Sequence, residues 1–203
     1  MKDVIISLNK AVLPELSEPG IAYILCCSDS NMSVPESDHI LLLHFQDIID
    51  DKRVEAFASE QAEQIVHFWK QICDNEQIEC VFVCCDAGMS RSPAIAAALM
   101  RELGQNDDCI WSDAEYDLNP LVYRRLCHAF GHPVTSSELR KKLRLNRIAW
   151  HKKFFYDLCE GLKEIIAYER GGIALRVVTF DEDGTIRSEY RKIDETANRD
   201  ISD

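Results

Sequence analysis

Cys85 and Arg91 are separated by Asp86, Ala87, Gly88, Met89 and Ser90, and Ser92 follows them. A thiol and a guanidinium at that spacing can act on one phosphate. A phosphate needs donors around several oxygens at once. The backbone N–H groups of a tight loop closing onto a helix N-terminus supply them. Gly88 lets such a loop bend where a side chain would clash. Arg91 offers a planar fork that grips two phosphate oxygens. Its field also lowers the pKa of the Cys85 thiol, so that a thiolate is available near neutral pH. Ser92 can donate to that thiolate and help it leave. Phosphoryl transfer to Cys85, then to water, divides hydrolysis into two steps. Without an anion, an Arg beside the positive end of a helix is a poor structural choice.

The surrounding elements suit this chemistry. VIISL (4–8), IAYILCC (21–27), HILLLHF (39–45) and CVFVCC (80–85) are short apolar runs, as buried strands are. Ala58, Ala62, Ile65, Trp69 and Ile72 repeat at helical steps and predict an amphipathic helix over 54–72. Pro93 suits a first helical turn, AIAAALMREL continues it, and Gly104 ends it. A further helix is expected over Asn119–Phe130, with Asn119 as its cap. Alternating strands and helices predict an α/β fold with a mostly parallel central sheet flanked by helices. Ligands of such sheets bind beyond the C-terminal strand ends, where Cys85 falls.

The run VFVCCDAGMSRSPAIAAALM from Val81 resembles the signature of protein tyrosine phosphatases, above all the small dual-specificity-like ones. It has strand, Cys, five residues with Ala-Gly inside, Arg, Ser and then helix. The likeness is tight over residues 79–103, looser over 1–133, and says nothing of 134–203. It implies a phosphotyrosine-phosphatase-like sheet, Cys85 as nucleophile, Arg91 as phosphate clamp, Ser92 as support for the leaving thiolate, and residues 86–90 as the phosphate-binding loop. It implies neither metal nor other cofactor. Cys84 stands where the family usually has His. A small buried residue is expected there, since a vicinal disulfide with Cys85 would be strained.

A general acid must protonate the leaving oxygen. HFQDIIDD offers Asp47, Asp50 and Asp51 between a strand and a helix. The resemblance favours Asp47, just past the strand; Asp50 and Asp51 are expected to cap the helix that follows. His39 and His44 read as ordinary strand residues, and Asp113, Glu115 and Asp117 as solvated.

The 203 residues carry a net charge of −12. Residues 134–203 have 14 Lys+Arg and 13 Asp+Glu, so the acidity lies in 1–133, with 9 and 22. Such a surface disfavours nucleic acid and anionic membrane. No apolar run approaches the roughly 18 residues of a membrane span. Nine cysteines without regular spacing, several inside apolar runs, suggest reduced thiols and a cytoplasmic protein, and no zinc site.

The turn-rich GHPVTSS (131–137) suggests a boundary between a phosphatase domain (1–133) and an extension (134–203). Within 134–203, Leu143, Ile148, Phe155, Leu158, Leu162 and Ile165 keep helical spacing, and a hairpin is expected around DEDG. Its basic run, 140–153, could dock on the acidic part or serve self-association.

The expected activity is removal of phosphate from phosphotyrosine, with phosphoserine or phosphothreonine depending on pocket depth. No residue of the loop is basic and Asp86 is acidic, which disfavours multiply charged substrates and points to a phosphorylated protein or a small phosphomonoester. One alternative is a phosphoresidue-binding module of the same fold with weak chemistry. A rhodanese or arsenate reductase fits less well, because Cys85 lies far from the chain start and Ala-Gly precedes Ser-Arg-Ser.

Overall fold

The computed structural model describes residues 3–7, 19–31, 33–34, 37–169, 175–180 and 186–191. They form β1 (Asp3–Ser7), β2 (Ile21–Cys27), β3 (Ile40–His44), α1 (Ser59–Asp74), β4 (Cys80–Cys85), α2 (Arg91–Glu102), α3 (Asp108–Trp111), α4 (Pro120–Ala129), α5 (Ser136–Glu169), β5 (Leu175–Phe180) and β6 (Ile186–Arg191). The fold is α/β, with a four-stranded, all-parallel sheet in the order β1-β4-β2-β3. The chain divides into two compact units, residues 1–150 and 151–203.

Alternation along β4 sets up two faces. Val81, Val83 and Cys85 join Ala22, Ile24 and Cys26 of β2 in the main core, with buried residues of α1, α2 and α4. Cys84 turns the other way and packs with Tyr23 and Leu25. Because β4 is an inner strand, it is held from both sides as far as Cys84. Cys84 pairs in register with Ser7 of β1 and Leu25 of β2, and Cys85 pairs with Cys26.

Helix α2 is rich in alanine, and Ala94, Ala96, Ala97 and Ala98 are all buried, so the helix lies close against its neighbours. Gly104 takes a positive φ of 69° just beyond its end, as expected of a helix-stopping glycine. Helix α1 begins five residues later than the apolar spacing predicts. The reason is tertiary. Phe57 is buried against Phe45, with ring centroids 4.9 Å apart, and the Gln46 N–H donates to the Glu55 carbonyl at 2.7 Å. Residues 46–58 are thereby drawn into a clipped loop. The cap is then made by Gln61, whose side-chain oxygen accepts from the Ala58 N–H at 2.8 Å. Asp50 and Asp51 therefore lie too far from α1 to cap it, contrary to expectation.

The start of α5 belongs to the same unit as the sheet. Val134, Leu139 and Leu145 pack on the main core, and the buried Lys142 ammonium donates to Asp107 and Asp108 at 2.5 and 2.7 Å. Arg101 pairs with Glu138. The rest of the basic run up to Arg147 is exposed. The stripe from Leu143 to Ile165 lies on one helix as predicted, yet its six members are 39–67% exposed. Strands β5 and β6 pair antiparallel, with Phe180 opposite Ile186. The DEDG turn itself lies outside the described residues. Among the described residues no helix is long and apolar enough to cross a membrane.

Candidate active site

The segment from Cys85 to Arg91 leaves the C-terminal end of β4 and enters α2. Gly88 sits mid-turn with φ 71°, a conformation that side chains rarely adopt. The Gly88 N–H thereby points back at Cys85 and donates to its Sγ at 3.2 Å, and the Ser92 hydroxyl lies 3.2 Å from the same sulfur. The backbone N–H groups of Ser90 and Ser92 also favour the sulfur as an anion. Two carbonyls of the loop face outward instead. The Met89 carbonyl accepts from the Asp117 N–H at 2.9 Å, and the Ser90 carbonyl accepts from the Asn119 N–H at 3.2 Å. This division, with carbonyls bound from outside and amides converging on the sulfur, is what an anion cradle requires.

Burial alone would raise the pKa of Cys85. The Ser92 hydroxyl, the Ser92 and Ser90 amides and the Arg91 charge together outweigh it, and the thiol ends below its ordinary value. Donors and a neighbouring cation of this kind favour the thiolate form.

Arg91 is the first residue of α2, and its side chain is 4% exposed. Nη1 donates to the Ser28 hydroxyl at 3.0 Å and to the Phe45 carbonyl at 2.8 Å, and Nη2 donates to Asp86 at 2.6 Å. The guanidinium also lies over the Phe45 ring, 5.7 Å from its centroid. Nε is buried without a hydrogen-bond partner among the described residues. A buried charged donor left unpaired is costly, and an oxyanion in the cradle is the kind of acceptor that would relieve it. Asp86 is thus bound to the clamp. Its Oδ2 also accepts from the Ser28 N–H at 3.0 Å. Asp86 is expected from sequence to face the substrate as a free charge; in the fold its carboxylate is neutralised by Arg91 and holds the guanidinium in place.

Of the three candidate acids, only Asp47 has a described bond to the loop. Its Oδ1 accepts from the Ser90 hydroxyl at 3.0 Å and from the Asn119 side-chain amide at 2.7 Å. Ser90 occupies the N-cap of α2 but does not cap with its side chain. Its hydroxyl is spent on Asp47. Asp50 accepts from the Lys52 N–H in a local turn, and Asp51 meets Arg124 at 3.4 Å on the surface.

Asn119 does more than cap α4, the role its sequence context suggested. Its oxygen caps Leu121 and Val122, its amide holds Asp47, and its backbone N–H holds the Ser90 carbonyl. Ser28 and Phe45 were also missed as anchors of Arg91. Both directly follow β2 and β3, at the C-terminal edge where ligand sites gather, so their location was a usable signal. Ala87 and Met89 are exposed on the outer side of the loop. Cys84 is buried on the opposite sheet face from Cys85, packed with Tyr23 and Leu25.

No protein-family model matches the chain, and neither does any curated protein.

Proposed function

We propose that this protein is a metal-independent phosphomonoesterase of the tyrosine or dual-specificity phosphatase kind, working through a cysteinyl-phosphate intermediate. The observation that carries the proposal is the Cys85 sulfur, 3.2 Å from the Gly88 amide and from the Ser92 hydroxyl, in the turn that opens α2.

Mechanistically, the substrate phosphate is held by the loop amides and the guanidinium of Arg91. Asp86, Ser28 and the Phe45 carbonyl keep that guanidinium oriented. The Cys85 thiolate attacks phosphorus, and the bond to the leaving oxygen breaks as Asp47 protonates that oxygen. Asp47, now a carboxylate, takes a proton from water in the second step. Ser92 stabilises the thiolate as it leaves. Preorganised donors around the phosphoryl group supply most of the barrier reduction.

Phosphotyrosine is the favoured substrate. The loop 85–91 itself has one guanidinium and no further cation, which suits a single phosphate. Met89 and Ile49 are exposed apolar side chains near the Asp47–Ser90 contact, and they offer an aromatic ring a surface. Turnover of p-nitrophenyl phosphate in the presence of EDTA tests the enzyme reading, alongside a panel of phosphotyrosine, phosphoserine and phosphothreonine peptides. Hydrolysis lost in Cys85→Ser and strongest on phosphotyrosine is the expected result. Phosphopeptide binding without turnover would identify a binding module instead.

A further inference from the structure

Helix α5 carries apolar side chains that hydrolysis does not use. Between Ile148 and Ile166, nine large apolar side chains are 41–67% exposed. Exposed apolar surface of that extent marks an interaction site rather than a solvated face. Ile148, His151, Phe155, Leu158, Leu162 and Ile165 follow one another at alternating steps of three and four residues on this one helix. That spacing is the seam of a coiled coil, in which each side chain enters a gap between four residues of the facing helix. The stretch 147–166 runs about 30 Å. A half-exposed aromatic ring has on the order of 100 Å² left to bury, so a seam of this length approaches the roughly 800 Å² per partner of a standard interface.

We infer that α5 joins two copies of this chain as an antiparallel helix pair, with the twofold axis between Tyr156 and Asp157. Charge selects both the occupant and its direction. Residues 147–156 hold Arg147, Lys152 and Lys153 and no acid, a net +3; residues 157–166 hold Asp157, Glu160 and Glu164 against Lys163, a net −2. A parallel copy would set like charge on like, whereas an antiparallel copy sets opposite charges together at both ends. A helix carrying both halves is its own complement, as a twofold interface requires. The seam also closes on itself about that axis. Ile148 meets the partner's Ile165, His151 the partner's Leu162, and Phe155 the partner's Leu158. Gly161 is a second, independent observation. It lies in the helix interior, where glycine is a poor helix former, and among the described residues nothing comes within 4 Å of where its Cβ would be. Packing within the described chain does not call for glycine there. In the antiparallel pair, Cβ bonds tilted toward each N-terminus bring Gly161 beside the partner's Phe154, and the missing side chain makes room for that ring. The pairing does not depend on the proposed chemistry at Cys85.

Sedimentation equilibrium of the full chain at rising concentration tests this. The wild type should reach twice the mass of one chain. Gly161→Gln places bulk where the chain has open space, so it should raise the dissociation constant by about tenfold or more, while thermal stability of the dilute monomer does not fall. Arg147 comes within a turn of the partner's Glu164. Arg147→Glu and Glu164→Arg should therefore each weaken pairing by about tenfold, and an equimolar mixture of the two variants should pair as tightly as the wild type, because opposite charges then meet at both contacts. A wild type that stays monomeric would overturn the inference, whether another segment or another protein covers the stripe. A dimer indifferent to Gly161→Gln and to both charge variants would place the interface elsewhere and overturn it too. A mixture no tighter than its parents would contradict the antiparallel pairing.

Discussion

The phosphate loop and the acid loop differ in how firmly each is held. Residues 85–91 begin on an inner strand, end in a buried helix, and are bound at the sulfur, at two carbonyls and at the guanidinium. Residues 46–58 are exposed over much of their length and meet the phosphate loop through one carboxylate. The cradle is preorganised, as charge stabilisation requires. Asp47, the proposed acid, sits on a segment with freedom to adjust, as loops with few buried contacts have. Under the proposed mechanism, binding and protonation rest on parts of different tolerance and should fail differently.

Changes in the cradle should cost most. Cys85→Ser should lower kcat by about 10⁴-fold or more, with folding intact by circular dichroism. Arg91→Lys keeps the charge and loses the fork. It should cost about 10³-fold in kcat/KM, and its thermal stability should also drop, because Phe45, Ser28 and Asp86 lose a shared partner. In the acid loop, Asp47→Asn should cost about 10²-fold on phosphotyrosine peptides and less on aryl phosphates with good leaving groups. Asp50→Asn and Asp51→Asn should stay near wild type. An equal loss in all three variants would dissolve the distinction between the loops.

Asn119 joins both regions. Asn119→Ala should remove about 1 kcal/mol of helix capping and lower kcat by roughly tenfold as Asp47 loses its tether. Normal activity with only the stability loss would reduce Asn119 to a cap. The smallest change is expected of Ser92→Ala in its effect on the maximal rate, but the pH profile should move. The active form of Cys85 is the thiolate, present above its pKa. Ser92 is the strongest group holding that pKa down, so its removal should shift the rising acid limb of kcat/KM to higher pH.

The two regions also differ in how far the sequence disclosed them. The cradle is contiguous, and each of its residues has a chemical reason to follow the last, so Cys85, Gly88, Arg91 and Ser92 were legible together. The parallel sheet was legible too, because its strands are short apolar runs, and β2 and β4 are buried along most of their length. The acid was narrowed to three aspartates, since proximity in sequence does not show which carboxylate reaches Ser90 and Asn119. That contact joins residues far apart in the chain. The start of α1 was misjudged for the same kind of reason, because Phe57 packing on Phe45 overrides local helical spacing. Asp86 shows the limit most clearly. Its charge was visible, but its partnership with Arg91 depends on a turn that brings the two side chains together.

The most direct test is to capture the phosphorylated enzyme. Asp47→Asn mixed with p-nitrophenyl phosphate and quenched in acid should carry phosphate on Cys85, because the good leaving group departs while hydrolysis of the intermediate is slowed. Steady turnover by the wild type with phosphate found on another residue, or on none, would contradict the account.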